Sequence, residues 1–265
     1  MKLNHRYAAL SCLLCGIVIG VCSCDALPDP LKTVRLTGSE KTVTVPLEPS
    51  SDAGLALEVD LQFTNGGENP ITVLPVPEGE TPYAVITYPE DFDEYGFSAV
   101  QTGHVFRLDT AQNSRFSTDD FSMTVYAPIS AYELVGALEL TADAGGVQTE
   151  YLSLDITGGA AVSLKNIAAE HVDVEVDGTA DVVLAGTASR LEAELNGAAA
   201  LESLRLAVQD AEITINGVGA AEIACSGVLD AEINGAGSIG YAGDPTVNKE
   251  INGAGTVSKH PDPQA

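Results

Sequence analysis

The chain is 265 residues long and carries 38 acidic against 12 basic side chains, a formal net charge of −26. That imbalance excludes a nucleic-acid-binding surface and any electrostatic attraction to anionic lipid headgroups, since both partners are themselves negative. The length leaves room for one or two domains.

Lys2, His5 and Arg6 precede an apolar run from Ala8 to Val21, too short to span a bilayer but suited to the core of a secretory signal. The run ends at Val21-Cys22-Ser23-Cys24, which resembles the lipobox of bacterial lipoproteins. The resemblance implies a signal peptide over residues 1–23, cleavage before Cys24, and lipidation of Cys24. An ordinary cleaved signal or an uncleaved anchor is the competing reading. Several acyl chains would hold the protein stably on the membrane, which places it in the cell envelope, at the outer membrane of a Gram-negative bacterium. Cleavage would leave 10 basic against 38 acidic side chains, a net charge of −28. Cys12, Cys15 and Cys22 fall in the removed segment and Cys24 carries lipid. Cys225 alone remains in the folded part, where no intramolecular disulfide can form. It follows an aliphatic strand with no cationic neighbour in sequence, so it reads as a small core residue rather than a nucleophile.

Residues 24–32 form a short proline-containing spacer, expected to be extended. Residues 33–125 read as a β-rich domain. TVTVPL, LALEVDLQF, YAVITY, HVFRLD and FSMTVYA alternate or are β-branched, and Asn65 to Gly67 signal a turn. The acidic stretch Pro89 to Gly96 fits a short helix or a solvated loop, and the solvated reading is the simpler. All six phenylalanines lie in this part, whereas the C-terminal half is built from Ala, Val, Ile, Leu and Gly. Two kinds of core are implied.

Residues 126–258 repeat. A glycine-ended phrase closes at Gly178, Gly197, Gly217, Gly235 and Gly253, and more weakly at Gly158 and Gly136, a spacing that belongs to stacked coils. The alternate positions before each glycine are Leu152, Leu154 and Ile156, then Val172, Val174 and Val176, then Leu191, Ala193 and Leu195, then Ala211, Ile213 and Ile215, then Leu229, Ala231 and Ile233; these must face inward. In the last coil Lys249 enters that column, as suits an end without a dry interior. A uniformly small column stands two places after the glycine, at Ala160, Ala180, Ala199, Gly219, Gly237 and Gly255, where a tight backbone turn is expected. The coil with Leu201 and Leu204 departs by one residue, which suggests a bulge. The expected fold is all-β: a parallel β-helix or β-roll solenoid of about six to seven coils of 18–20 residues, right-handed by the general crossover preference and preceded by a strand-rich cap. Residues 259–265 form a tail whose Pro261 and Pro263 discourage further stacking.

Asn196, Asn216, Asn234 and Asn252 stand immediately before the glycine in one column. A ladder of turn amides, with asparagine tolerating left-handed backbone, explains them without a ligand. Carboxylates fill two further columns. Three places before the glycine stand Glu133, Asp155, Glu175, Glu194, Glu232 and Glu250, with Thr214 as the interruption; five places before stand Asp173, Glu192, Glu212 and Asp230. Facing outward they make an acidic ribbon of stacked like charges. Its plainest role is a solubilising face; weak Ca²⁺ binding is the alternative, since oxygen ligands suit hard divalent cations.

Calcium-binding β-rolls are excluded, because their Gly-Gly-x-Gly-x-Asp nonapeptide is missing and only Asp181 approaches its aspartate. A polysaccharide lyase needs a base and clustered cations, but the repeats offer only scattered Lys165, Arg190, Arg205 and Lys249. His104 and His171 stand alone, and no cofactor or catalytic residue is assigned.

The signal, the strand-rich first part and the phrases ITINGVG, AEINGAGSIGYAGDP and EINGAGTV together resemble the bacterial head GIN domain family of adhesin-like proteins, over residues 45 to 257. Tyr241 to Pro245 looks like that family's Gly-x-Pro ending. The resemblance implies an envelope lipoprotein offering an adhesion or structural surface, not an enzyme, with surface glycans or envelope proteins as partners. It implies no catalytic residues. A glycan- or divalent-cation-binding module is the alternative function, and a β-helix polysaccharide-active enzyme is the third reading.

Overall fold

The computed structural model describes residues 33–48, 54–64, 69–111, 114–142 and 148–260. The signal peptide, Cys24, the spacer, the Asn65 to Gly67 turn and both tail prolines lie outside the described residues. The chain is all-β. Its first strands are β1 (Thr33–Arg35), β2 (Glu40–Pro46), β3 (Leu55–Asp60), β4 (Pro70–Leu74), β5 (Tyr83–Pro89), β6 (Ser98–Thr102), β7 (Val105–Asp109), β8 (Arg115–Ser117) and β9 (Ser122–Tyr126). Then come β10 (Ile129–Ala142), a long extended run β11 (Gln148–Ile215), β12 (Val218–Cys225), β13 (Val228–Ile233), β14 (Ala236–Ala242), β15 (Thr246–Ile251) and β16 (Thr256–Lys259). Of the short strands β1, β4, β6 and β8, none stands out as an alternating run in the sequence.

Most strands join one large mixed sheet. β2, β5 and β9 pair antiparallel, as do β6 and β7. β10 pairs in parallel with both β3 and β4, so strands before and after residue 125 share hydrogen bonds. From β10 onward the pairing is parallel and recurs at the repeat spacing: Leu134 lies beside Ile156, Ala231 beside Ile213, and Lys249 beside Ala231.

The alternation explains the core. Leu152, Leu154 and Ile156, then Val172, Val174 and Val176, then Ala211, Ile213 and Ile215 are all buried, and complete burial of each branched side chain stabilises the fold by about 1.5–3 kcal/mol. At the last layer Ile251 is 37% exposed and Lys249 stands in solvent. The glycine column stacks backbone on backbone: a Cβ at Gly178, Gly197, Gly235 or Gly253 would stand 2.1 Å from the carbonyl oxygen of the preceding glycine in the column. No side chain fits there.

Three local features differ from expectation. Residues Glu90–Tyr95 form a 3-10 helix rather than a solvated loop, because Phe92 inserts completely into an aromatic cluster while Glu90, Asp93 and Glu94 face water. The irregularity after Leu201 is larger than one residue. Ser203 pairs with Ile223, the next pair is Ala207 with Ala224, and the inward positions go to Ser203 and Leu206 while Leu204 is only half-buried. Ser203 tolerates that site because its hydroxyl donates to the Glu222 carbonyl at 2.9 Å. Finally, the ladder asparagines are not left-handed. Among the described non-glycine residues only Gln62 and Asn166 have positive φ.

Candidate interaction face

Because side chains alternate across a strand, the residues between the buried columns share one outward face. The carboxylate column is physically continuous. Glu133 lies beside Asp155, Thr214 beside Glu232, and Glu232 beside Glu250, while the glycine stack aligns Glu175 and Glu194 between them. It also extends further than the repeats: Glu58 of β3 lies beside Glu133, and Arg107 of β7 lies beside Glu58. Arg107 ends the column, donating from Nη1 to Glu58 and from Nε to Asp109, each at 2.9 Å. Hydrogen bonds from Ser98 and Arg107 hold the Asp109 carboxyl below its usual range. Neither Glu58 nor Arg107 carries a repeat signature, so periodicity could not find them.

The second acidic column is braced from one side. Tyr151, His171 and Arg190 stand two places upstream of Ser153, Asp173 and Glu192, each one layer before the carboxylate it meets. The Tyr151 hydroxyl donates to Asp173 at 2.8 Å, and Arg190 donates to Glu212 at 2.5 Å. Glu192 lies 3.8 Å from both Arg190 and His171. Asp230 accepts from the Asn248 amide at 2.8 Å. These contacts are exposed or only partly buried, so each contributes about 1 kcal/mol or less.

The asparagine ladder is present and reaches the ribbon. Asn216 donates to Asn196 at 2.9 Å, Asn234 to Asn216 at 2.9 Å, and Asn252 to Asn234 at 3.0 Å. An amide nitrogen has a second hydrogen, and it goes to a carboxylate: Glu194 accepts from Asn216 at 3.0 Å, Glu232 from Asn234 at 2.6 Å, and Glu250 from Asn252 at 3.0 Å. The C-terminal half of the ribbon is therefore supplied with neutral donors.

Its N-terminal half has no such asparagine ladder. Val135, Thr157 and Asp177 stand where the ladder asparagines would be. Partial desolvation raises the carboxyls of Glu133, Asp155 and Glu175. For Glu133 the charges of Glu58 and Asp155 add to it; for Glu175 those of Asp155, Asp177 and Glu194 do. At Asp155 a hydrogen bond from Ser153 opposes the shift and the charge of Asp173 reinforces it.

Among the described residues no three His, Cys, Asp or Glu side chains converge as a metal-binding group would require. Cys225 is buried with its thiol directed at the carbonyls of Gln209 and Val228, and burial pushes its pKa up, as befits a core residue. No helix among the described residues is long and apolar enough to cross a membrane.

The described part of the chain is almost entirely β, with a column of carboxylates along its outer face. The chain belongs to the family described as "putative auto-transporter adhesin, head GIN domain", which matches residues 69–245. Its fold is that of a "putative adhesin" from Bacteroides fragilis NCTC 9343, with a TM-score of 0.69 at 18% identity over 86% of this chain and 100% of the other. A "putative adhesin" from Parabacteroides merdae ATCC 43184 gives 0.57 at 17% identity over 86% and 99%. A "putative lipid binding protein" from Parabacteroides distasonis ATCC 8503 gives 0.57 at 16% identity over 87% and 100%. At such identities the likeness is one of fold. No curated protein sequence matches the chain.

Proposed function

We propose that this protein is a lipid-anchored component of the bacterial cell envelope, presenting a rigid β-solenoid whose acidic side is an adhesion or interaction surface. The solenoid reading is supported by parallel pairing that recurs every 18 residues at the C-terminal end, as from Ala231 to Lys249, and by the inward columns that keep step with it. Anchoring through Cys24 at the outer membrane is supported by the apolar run before it and by the family's adhesin description. The single observation that carries the functional reading is the register of outward carboxylates from Glu58 to Glu250 on stacked strands, interrupted at Thr214. A column fixed in this way keeps its charge spacing without an ordering cost at binding.

Protease treatment of intact cells tests the reading. Degradation of the wild-type protein, together with release of a Cys24→Ser variant from the membrane fraction, is the expected result. A protein left intact on whole cells but cut after lysis faces inward and sinks the adhesion reading. Retention of Cys24→Ser on the membrane would sink the lipid anchor.

A further inference from the structure

The face that carries the ribbon changes character toward the aromatic cap. Ala56, Ala131 and Ser153 share one register across three strands, in the column that holds Asp173, Glu192 and Glu212 further on. Small side chains in successive layers leave a hollow. A cleft of about 490 Å³ opens there, with Tyr151 and Glu150 among its lining residues and His104 contributed by the cap.

Tyr151 is built into this cleft as a fixed aromatic. Its ring stacks on His171 at 5.0 Å between centroids and 12° between planes, and its hydroxyl is tied to Asp173 at 2.8 Å. It nevertheless remains 49% exposed. A half-exposed ring held on one side and at its tip is preorganised to receive a ligand against its open face. The charge around it selects the visitor. Among the described residues, no lysine or arginine lines the cleft. Glu133 and Asp155 lie two residues along the strands from Ala131 and Ser153, on the same face.

An aromatic ring and small residues, with Glu150 in the lining and Glu133 and Asp155 alongside, match a cation with an apolar stem. Arginine fits better than lysine, because its planar guanidinium lies flat on a ring while its fork reaches carboxylates in the same plane. A neutral sugar could use the ring but would leave the carboxylate field unanswered. We propose that the Tyr151 cleft anchors an arginine side chain of a partner protein, the guanidinium resting on the Tyr151 ring and paired with Glu150. This rests on the acidic side being an interaction surface, and it gives that surface a specific point of attachment.

The test is calorimetric titration of the purified full-length protein with hexa-arginine peptide, and separately with cellohexaose as a neutral oligosaccharide. Tyr151→Ala and Glu150→Gln should each weaken hexa-arginine binding about tenfold, whereas Tyr151→Phe, which keeps the ring, should stay within about threefold. Glu250→Gln, at the far end of the ribbon, should change affinity by less than about twofold. Thermal melts verify that each variant is folded, and Glu150→Gln decides the matter should Tyr151→Ala fail to fold. Equal affinity in wild type and both cleft variants would overturn the cleft while leaving a diffuse acidic surface standing. No binding by wild type at low salt would overturn both readings. Tyr151-dependent binding of cellohexaose without binding of hexa-arginine would overturn the proposal in favour of a glycan site.

Discussion

The aromatic part before residue 125 and the aliphatic repeats after it are joined in one sheet yet hold themselves together differently. In the cap, Phe92 stacks on Phe97 at 4.9 Å and 15°, and meets Phe116 edge-on at 4.9 Å and 72°. Those contacts occur once each and depend on shapes brought together from distant strands. In the repeats the same few aliphatic positions recur layer after layer, and each layer meets mainly its neighbours. The difference teaches where loss of one side chain should be felt globally and where locally.

Phe92→Ala should break the cap. Phe92 is fully buried, so a cost of about 3–5 kcal/mol in urea unfolding is expected, against about 2 kcal/mol for Val174→Ala within the repeats. Equal costs would mean that the aromatic cluster is no keystone. The corresponding break in the repeats is at the backbone. Gly235→Ala places a Cβ 2.1 Å from the Gly217 carbonyl oxygen, whereas Gly159→Ala meets nothing within 4 Å. The first should cost at least about 2 kcal/mol and the second less than about 0.5 kcal/mol, measured as shifts in the urea midpoint. A harmless Gly235→Ala would refute close stacking of the layers.

The acidic face sharpens the comparison, since the carboxylates that lack asparagine donors lie toward its aromatic end. The fold raises the carboxyls of Glu133, Asp155 and Glu175. The folded state therefore takes up protons more readily than the unfolded state, so stability rises as pH falls from neutrality toward the ordinary carboxylate range and is lost as pH rises back through the raised values. A higher melting temperature at pH 5 than at pH 7 is expected, and a Glu133→Gln, Asp155→Asn, Glu175→Gln triple variant should flatten that part of the profile. An unchanged profile in the triple variant would assign the pH dependence elsewhere.

The smallest effect is expected at the junction itself. Tyr132 lies between Leu57 of the cap and Leu154 of the first repeat layer, buried, with no hydrogen-bond partner for its hydroxyl among the described residues. Tyr132→Phe removes an unsatisfied polar atom, so calorimetric stability should hold or rise by up to about 1 kcal/mol. A clear loss would reveal a partner for that hydroxyl.

By itself the sequence determined whatever repeats: the inward columns from Leu152 to Ile233, the asparagine ladder, the outward side of Asp155 through Glu250, and the family. Hydrogen-bonded layers in register force equivalent residues into equivalent places, so one period predicts them all. Only the tertiary structure decided the features that occur once. Phe92 is buried because distant aromatics enclose it, and Ser203 replaces an aliphatic residue because a carbonyl lies within reach. Arg107 ends the acidic column, and Ala56 and Ala131 open a cleft before Tyr151, because separate strands align there. Such contacts join residues far apart in the chain, and nothing local or periodic marks them in advance.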